Sequence, residues 1–373
     1  MIPPLANSRV KLGRDDEPAQ STPFQLGYRM PAEWERHAAT WLTWPKNKIT
    51  WPGKMLNEVE SIYLRMIAAL LPHEKVNLLV KDKTSAELIL KALAVQKANT
   101  SNLVFHQVNA VDTWIRDYGP IFIKKGETRN TNDAKAFTKW IFNAWGGKYS
   151  DLARDNGVVD KLSLLEQRKR FNPGIIMEGG SIDMNGRGAC LTTEQCLLSP
   201  NRNSKLSREQ IEKYLKDYLG VVKVIWLKEG IEGDDTDGHV DDITRFVGPS
   251  TILTATESDR SDKNHEILNE NLEILRSESN QDGKRLKIIE LPMPGRVGIG
   301  RGDADASRLP ASYANFYIAN KTVLVPLYSH KNDRLALKII QSVFPDRKAI
   351  GIECTALVYG LGSIHCVTQQ EPV

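Results

Sequence analysis

From Phe24 onward, short apolar runs of β type alternate with amphipathic stretches of helical period, and this alternation most limits the folds open to the chain. The runs at 76–80, 103–108, 121–124, 221–226, 251–255, 287–291 and 322–325 read as strands. Apolar residues recurring at three and four predict helices over 57–71, 85–98, 207–219, 265–277 and 333–344. The first opens with Asn57 as a candidate N-cap and with Glu58 and Glu60 complementing the helix dipole. Helices spread along the chain among short strands fit an α/β fold of similar units, rather than one sheet followed by a bundle. Residues 1–22 mix Pro, Ser, Asn and both charge signs without periodicity and read as a flexible arm, leaving 23–373 as a single domain.

Composition removes several classes of function. A chain of 373 residues that is 41% hydrophobic buries a sizeable core. Its net charge of +4 comes from 50 basic residues dispersed among 46 acidic ones, so nucleic acid is not an expected partner. No apolar run approaches the roughly 20 residues of a membrane span. Cys190, Cys196, Cys354 and Cys366 form no C-x-x-C pair and flank no paired histidines, which argues against a structural metal. Without a charged-then-apolar leader the chain reads as cytosolic, where thiols stay reduced and available for chemistry. The run Gly298-Ile299-Gly300-Arg301-Gly302 lacks the spacing of a dinucleotide fingerprint and no Walker-type loop occurs, so no nucleotide cofactor is expected.

Four polar clusters remain. The first, Asp112-Thr113-Trp114-Ile115-Arg116-Asp117-Tyr118-Gly119-Pro120, forms either a pocket edge or a loop closed by an Arg116 ion pair to Asp112 or Asp117. In the second, Met177-Glu178-Gly179-Gly180-Ser181-Ile182, glycine permits backbone close to a ligand, the alternative being a bulge with a solvated glutamate. The third, from Glu232 to Asp242, gathers six carboxylates around His239. Its register is wrong for an EF-hand; a solvated acidic loop is the alternative, but the histidine and the adjoining strand favour a site. The fourth holds Cys366, a candidate nucleophile or a small buried hydrophobe, in a C-terminal stretch whose Gly, Cys and amides suggest that it is tied down. One thiol, one histidine and several acids point to a planar cationic substrate, because carboxylates pair with a guanidinium fork through two parallel hydrogen bonds.

The motifs W-x-R-D-x-G-P, E-G-G-S-I, D-T-D-G-H-x-D and G-S-I-H-C-x-T-Q-Q-x-P resemble those of the agmatine deiminases. So do Met30-Pro31-Ala32-Glu33-Trp34-Glu35 and Phe142-Asn143-Ala144-Trp145-Gly146-Gly147, and the resemblance spans about Gly27 to Pro372. It implies the five-bladed α/β propeller of the guanidine-modifying (pentein) superfamily, each blade a ββαβ unit, with no cofactor or metal, and a homodimer. It further implies that Cys366 attacks the guanidinium carbon, that His239 protonates the departing ammonia and then activates water, and that Glu178 orients and charges that histidine. Asp117 and Asp241 would grip the guanidinium nitrogens, and Asp235 would face the substrate's far amine. Trp114 would line the alkyl chain and Asn315 would support the site.

The chain departs from the family pattern at Gly360-Leu361-Gly362, where a triple glycine is usual, and at Leu327-Tyr328-Ser329-His330-Lys331, where many members carry an acid. Two rival functions follow. One is a deiminase of free or peptidyl arginine, with His330 or Lys331 meeting a carboxylate. The other is an acidic module that binds polyamines or a metal without catalysis.

Overall fold

The central strands of the sheets are largely buried and pair on both edges, and a repeated strand–strand–helix–strand unit supplies both partners. The structure, a computed structural model, describes residues 21–126, 134–165, 167–298 and 308–373. The reading of 1–22 as an arm and that of the glycine run after Gly298 fall almost wholly outside the described residues.

The unit is plainest where Thr244–Gly248 pairs antiparallel with Thr251–Thr256, which pairs parallel with Lys287–Pro292 after the helix Asn264–Ser277. It recurs as Tyr317–Ile318, Thr322–Leu327, helix Asp333–Val343 and Lys348–Glu353. It recurs again as Asp183–Met184, Ala189–Thr193, helix Arg208–Leu219 and Lys223–Leu227. A fourth sheet uses Ile121–Lys125, Lys135–Thr138 and Lys169–Phe171, with Tyr28–Arg29 added at its edge. In the fifth, the C-terminal strand Thr368–Pro372 pairs antiparallel with His37–Thr43, which is followed by helix Met55–Leu70 and parallel Lys75–Val80 and Leu103–Gln107. Five sheets of one topology, the last closed by the two ends of the chain, make the five-bladed propeller expected from the sequence.

The first strands of neighbouring sheets touch: Thr368–Pro372 packs on Ile121–Lys125, and Asp183–Met184 on Thr244–Gly248. The segment entering each first strand therefore arrives near the same axis. Those five segments carry Asp117, Gly180, Asp241, Asn315 and Cys366. Residues separated by up to 249 positions in sequence meet because each occupies the same place in its own blade.

The helix predicted to start at Asn57 begins two residues earlier, at Met55, because the Pro52-Gly53 turn already supplies the first carbonyl, from Pro52 to the Met55 amide at 3.2 Å. Asn57 thus lies in the first turn and caps nothing. Helix Arg208–Leu219 has the reciprocal capping box of Ser207 and Gln210, and ends at Gly220 with φ +75°.

Beneath the convergent loops lies a buried ion network. Glu33 faces Arg245 at 3.0 Å, Arg116 at 3.4 Å and His365 at 2.8 Å, and Arg245 bonds Asp183 at 2.6 Å. Arg116 also donates to Gln369 and Gln370, each at 2.7 Å. Neither acid of its own loop pairs with Arg116, so the expected closure onto Asp112 or Asp117 does not occur. The amides of the last strand, polar in sequence yet buried, are the partners that Arg116 takes instead.

Candidate active site

Cys366 sits two residues before the C-terminal strand, and its sulfur accepts from Asn315 Nδ2 at 3.2 Å and lies 4.0 Å from Asp241 Oδ2. Asn315 also donates to Asp242 Oδ1 at 3.0 Å, while its carbonyl oxygen accepts from the His365 amide at 2.8 Å. This side chain therefore fixes both the sulfur and the backbone that carries it. Burial, followed by the charges of Asp241, Asp242 and Asp117, pushes the Cys366 thiol well above its ordinary value.

Asp117 accepts from Gly180 N and from Trp145 Nε1, both at 2.9 Å. Burial, with Asp241 and Glu178 nearby, raises its carboxyl well above the usual range. Asp241 is the opposite case: burial would raise it, but His365, hydrogen-bonded at 2.6 Å, holds it low. One Asp241 oxygen, Oδ1, is buried without a hydrogen-bond partner. His239 is buried with neither ring nitrogen hydrogen-bonded, and Nδ1 lies 3.8 Å from Asp117. Burial above all depresses it to about 3, so the resting ring is neutral.

Glycine at 180 is what allows this packing. A Cβ there would lie 2.5 Å from His239 Nδ1, 2.9 Å from Asp117 and 3.1 Å from Asp241. Glu178, expected to orient His239, gives one oxygen to Arg202 Nε at 2.7 Å and leaves the other unpartnered. It does not hydrogen-bond His239; one of its oxygens, a His239 nitrogen and the Cys196 sulfur lie within 4.8 Å of one another. Arg202 in turn reaches Asp237 at 2.8 Å, tying Glu178 to the acidic loop. Neither Arg202 nor Cys196 was singled out from the sequence, since nothing local distinguishes a buried ion pair formed between loops.

A cavity of about 580 Å³ ends at Cys366 and Asp117. Trp114, Trp145, Leu152 and Leu361 wall it, and Lys148, Tyr149 and Asp235 lie toward its more exposed side. Trp114 and Trp145 meet edge-on with centroids 6.4 Å apart. The segment 144–147 has positive φ at every residue, including Ala144 at 56° and Trp145 at 55°. That costly conformation turns the Trp145 indole onto Asp117. Leu361, where the family has glycine, likewise sits at φ +69°. Asp235 accepts from the Tyr149 hydroxyl and faces Lys148 at 3.5 Å. His330 and Lys331 do not line the cavity: the loop 327–331 folds onto Asp333 instead, so it supplies no group for a substrate carboxylate.

Thiol, imidazole and carboxylates brought together by five equivalent loops define a hydrolase of the guanidine-modifying propeller class. The family model for Porphyromonas-type peptidyl-arginine deiminase matches residues 29–372. A putative agmatine deiminase of Legionella pneumophila is 36% identical over 355 residues, covering 94% of this chain and 97% of its own. The agmatine deiminase of Medicago truncatula is 37% identical over 381 residues, covering 95% and 98%. Among solved structures, Enterococcus faecalis agmatine deiminase superposes with a TM-score of 0.84 at 34% identity, over 95% of this chain and 98% of that one. A putative arginine deiminase from Porphyromonas gingivalis gives 0.82 at 36% identity, over 92% and 98%. The chain belongs to the Porphyromonas-type peptidyl-arginine deiminase family.

Proposed function

We propose that this chain hydrolyses agmatine to N-carbamoylputrescine and ammonia through a covalent amidino-cysteine. The observation that carries the reading is the cluster around Cys366: the thiol and Asp117 line the cavity, Asp241 lies 4.0 Å from the sulfur with one oxygen unpartnered, and neither nitrogen of the buried His239 ring, 3.8 Å from Asp117, is hydrogen-bonded. Among the described residues Asp117 has no cation partner, the His239 ring 3.8 Å away being neutral, and a buried carboxyl group left so is costly unless a cation is to arrive.

A guanidinium is a poor electrophile, and Asp117 and Asp241 hold it planar over the sulfur, within about 3 to 3.5 Å. Its positive charge offsets the acids that keep the thiol protonated, so the substrate favours the thiolate that attacks it. Sulfur adds to the guanidinium carbon, and the proton lost by the thiol reaches neutral His239, which passes it to the departing nitrogen. Ammonia leaves and the carbon stays on sulfur as an S-alkylthiouronium. His239 then takes a proton from water, oxygen adds to the same carbon, and the C–S bond breaks; the departing Cys366 sulfur takes that proton back from His239, and the O-protonated ureido product loses its extra proton to solvent. Glu178, held by Arg202, supports the histidine's charge as it forms.

At the outer end we assign Asp235 to the far amine. The two cations lining the cavity already face acids, Lys148 with Asp237 at 2.7 Å and Arg154 with Asp151 at 3.8 Å, which favours an amine-tailed substrate over a carboxylate-tailed one. The same reading makes the enzyme cytosolic and homodimeric, testable by fractionation and by light scattering. Ammonia release from agmatine, free arginine and an arginyl peptide tests the substrate. Preference for either arginine form would overturn the assignment of Asp235.

A further inference from the structure

The residue preceding the nucleophile is itself unusual. His365 is buried with carboxylate oxygens at both ring nitrogens, Asp241 Oδ2 at 2.6 Å from Nδ1 and Glu33 Oε2 at 2.8 Å from Nε2. We propose that His365 is a positioning residue whose two ring nitrogens both donate, bridging Asp241 to Glu33 and leaving the second Asp241 oxygen for the substrate guanidinium. This rests on the deiminase reading above and deepens it.

The argument is one of donor counting. A neutral imidazole has one donor and one acceptor, so it would set a lone pair against one of the two carboxylates. Glu33 is the charged partner on one side. It faces Arg245 at 3.0 Å and Arg116 at 3.4 Å and accepts from the Ile318 amide at 2.7 Å, and these cations with His365 hold it far below the usual range despite burial. On the other side stands Asp241, its Oδ2 2.6 Å from Nδ1. Carboxylate oxygens at both ring nitrogens are both satisfied only when the ring donates from each. The backbone of His365 is fixed as well, its amide bonded to Asn315 Oδ1 at 2.8 Å and its carbonyl to Arg116 Nε at 3.3 Å.

Both ring nitrogens of His365 are taken, by Asp241 and Glu33, so it acts through Asp241 rather than on substrate. Occupying Oδ2 leaves Oδ1 as the one Asp241 oxygen without a partner. It also keeps Asp241 ionised beside Asp117 and Asp242, whose own carboxyls are pushed well upward by burial and by Asp241.

The test uses the full chain labelled with ¹⁵N-histidine, read without substrate at pH 8. The resonance missing from His365→Gln, or perturbed in Asp241→Asn if that variant does not fold, is expected to show both ring nitrogens protonated; a neutral tautomer overturns the proposal. In folded His365→Gln, kcat/KM for agmatine is expected to fall by about 100-fold, as for loss of one partner of a buried charge pair. The acid limb of its pH profile is expected to move upward, because Asp241 then titrates without its cation. A rate within threefold of wild type, or an unmoved acid limb, overturns it. The ring state is read without substrate, so it stands or falls separately from the deiminase reading, which fails only if wild type releases no ammonia from any guanidine.

Discussion

Gly180→Ala is the sharpest probe of how closely the site is packed. The added methyl would lie 2.5 Å from His239 Nδ1, whereas ordinary contact begins at 3.4 Å, so the ring must retreat by about 0.9 Å or the loop must shift as far. Asp117 and Asp241, at 2.9 and 3.1 Å, block the other directions. Gly180 has no positive φ, so the backbone accepts alanine and the effect is purely one of space. A misplacement near 1 Å costs about 100-fold in rate, and overpacking costs about 1–3 kcal/mol in stability. We expect kcat for ammonia release to fall by about 100-fold, while thermal unfolding stays cooperative. Gly157→Ala, where none of the described residues lies within 4 Å, serves as the control and should match wild type. If Gly180→Ala keeps kcat within threefold of wild type, the close convergence of His239, Asp117 and Asp241 described above is refuted.

Three further outcomes are expected. Asp235→Asn should raise KM for agmatine about five- to tenfold, with kcat little changed, as for a partly exposed ion pair; an alkylguanidine lacking the amine should not register the change, and equal effects on both would contradict the assignment. His239 is held near 3 in the fold against 6.5 as its reference, chiefly by burial, so the unfolded chain binds the extra proton between those values and stability falls as pH drops through that window. This one group removes about 2 kcal/mol between pH 7 and pH 5; His239→Gln should lose less stability over that interval, and an equal loss in chemical denaturation would contradict the burial argument. Leu361 pays for a left-handed backbone that glycine adopts freely, so Leu361→Gly should be more stable than Leu361→Ala by about 1 kcal/mol, and the reverse order in thermal melts would show that no strain resides there.

Much of the scaffold was legible because its periodic elements are long. The strands over 76–80, 251–255 and 287–291 and the helices ending at Leu219 and Ser277 appear within a residue or two of where apolar spacing put them. Of the inner strands, Ile121–Lys125 was legible and others were not. Asp183–Met184 and Tyr317–Ile318 have two residues each, too few for any period, and Thr368–Pro372 reads as polar because its amides are buried against Arg116 rather than solvated. The candidate site was legible as chemistry, since acids, glycines and a thiol in unperiodic segments had no structural economy to justify them. Its support was not. Arg202, His365 and Glu33 meet their partners across 24 to 332 residues, and only the folded blade order brings such groups together. Glu33 and His365 both lie within the motifs shared with the family, and a histidine adjacent to the candidate thiol Cys366 was the available signal.

The central claim is that the Cys366 sulfur becomes covalently bound to the guanidinium carbon. Intact mass spectrometry of enzyme quenched during turnover with agmatine, followed by peptide mapping, tests it directly. The account predicts an amidino adduct on the peptide containing Cys366, and neither adduct nor ammonia from Cys366→Ala. Full ammonia release by Cys366→Ala, with the wild-type sulfur unmodified, would contradict it.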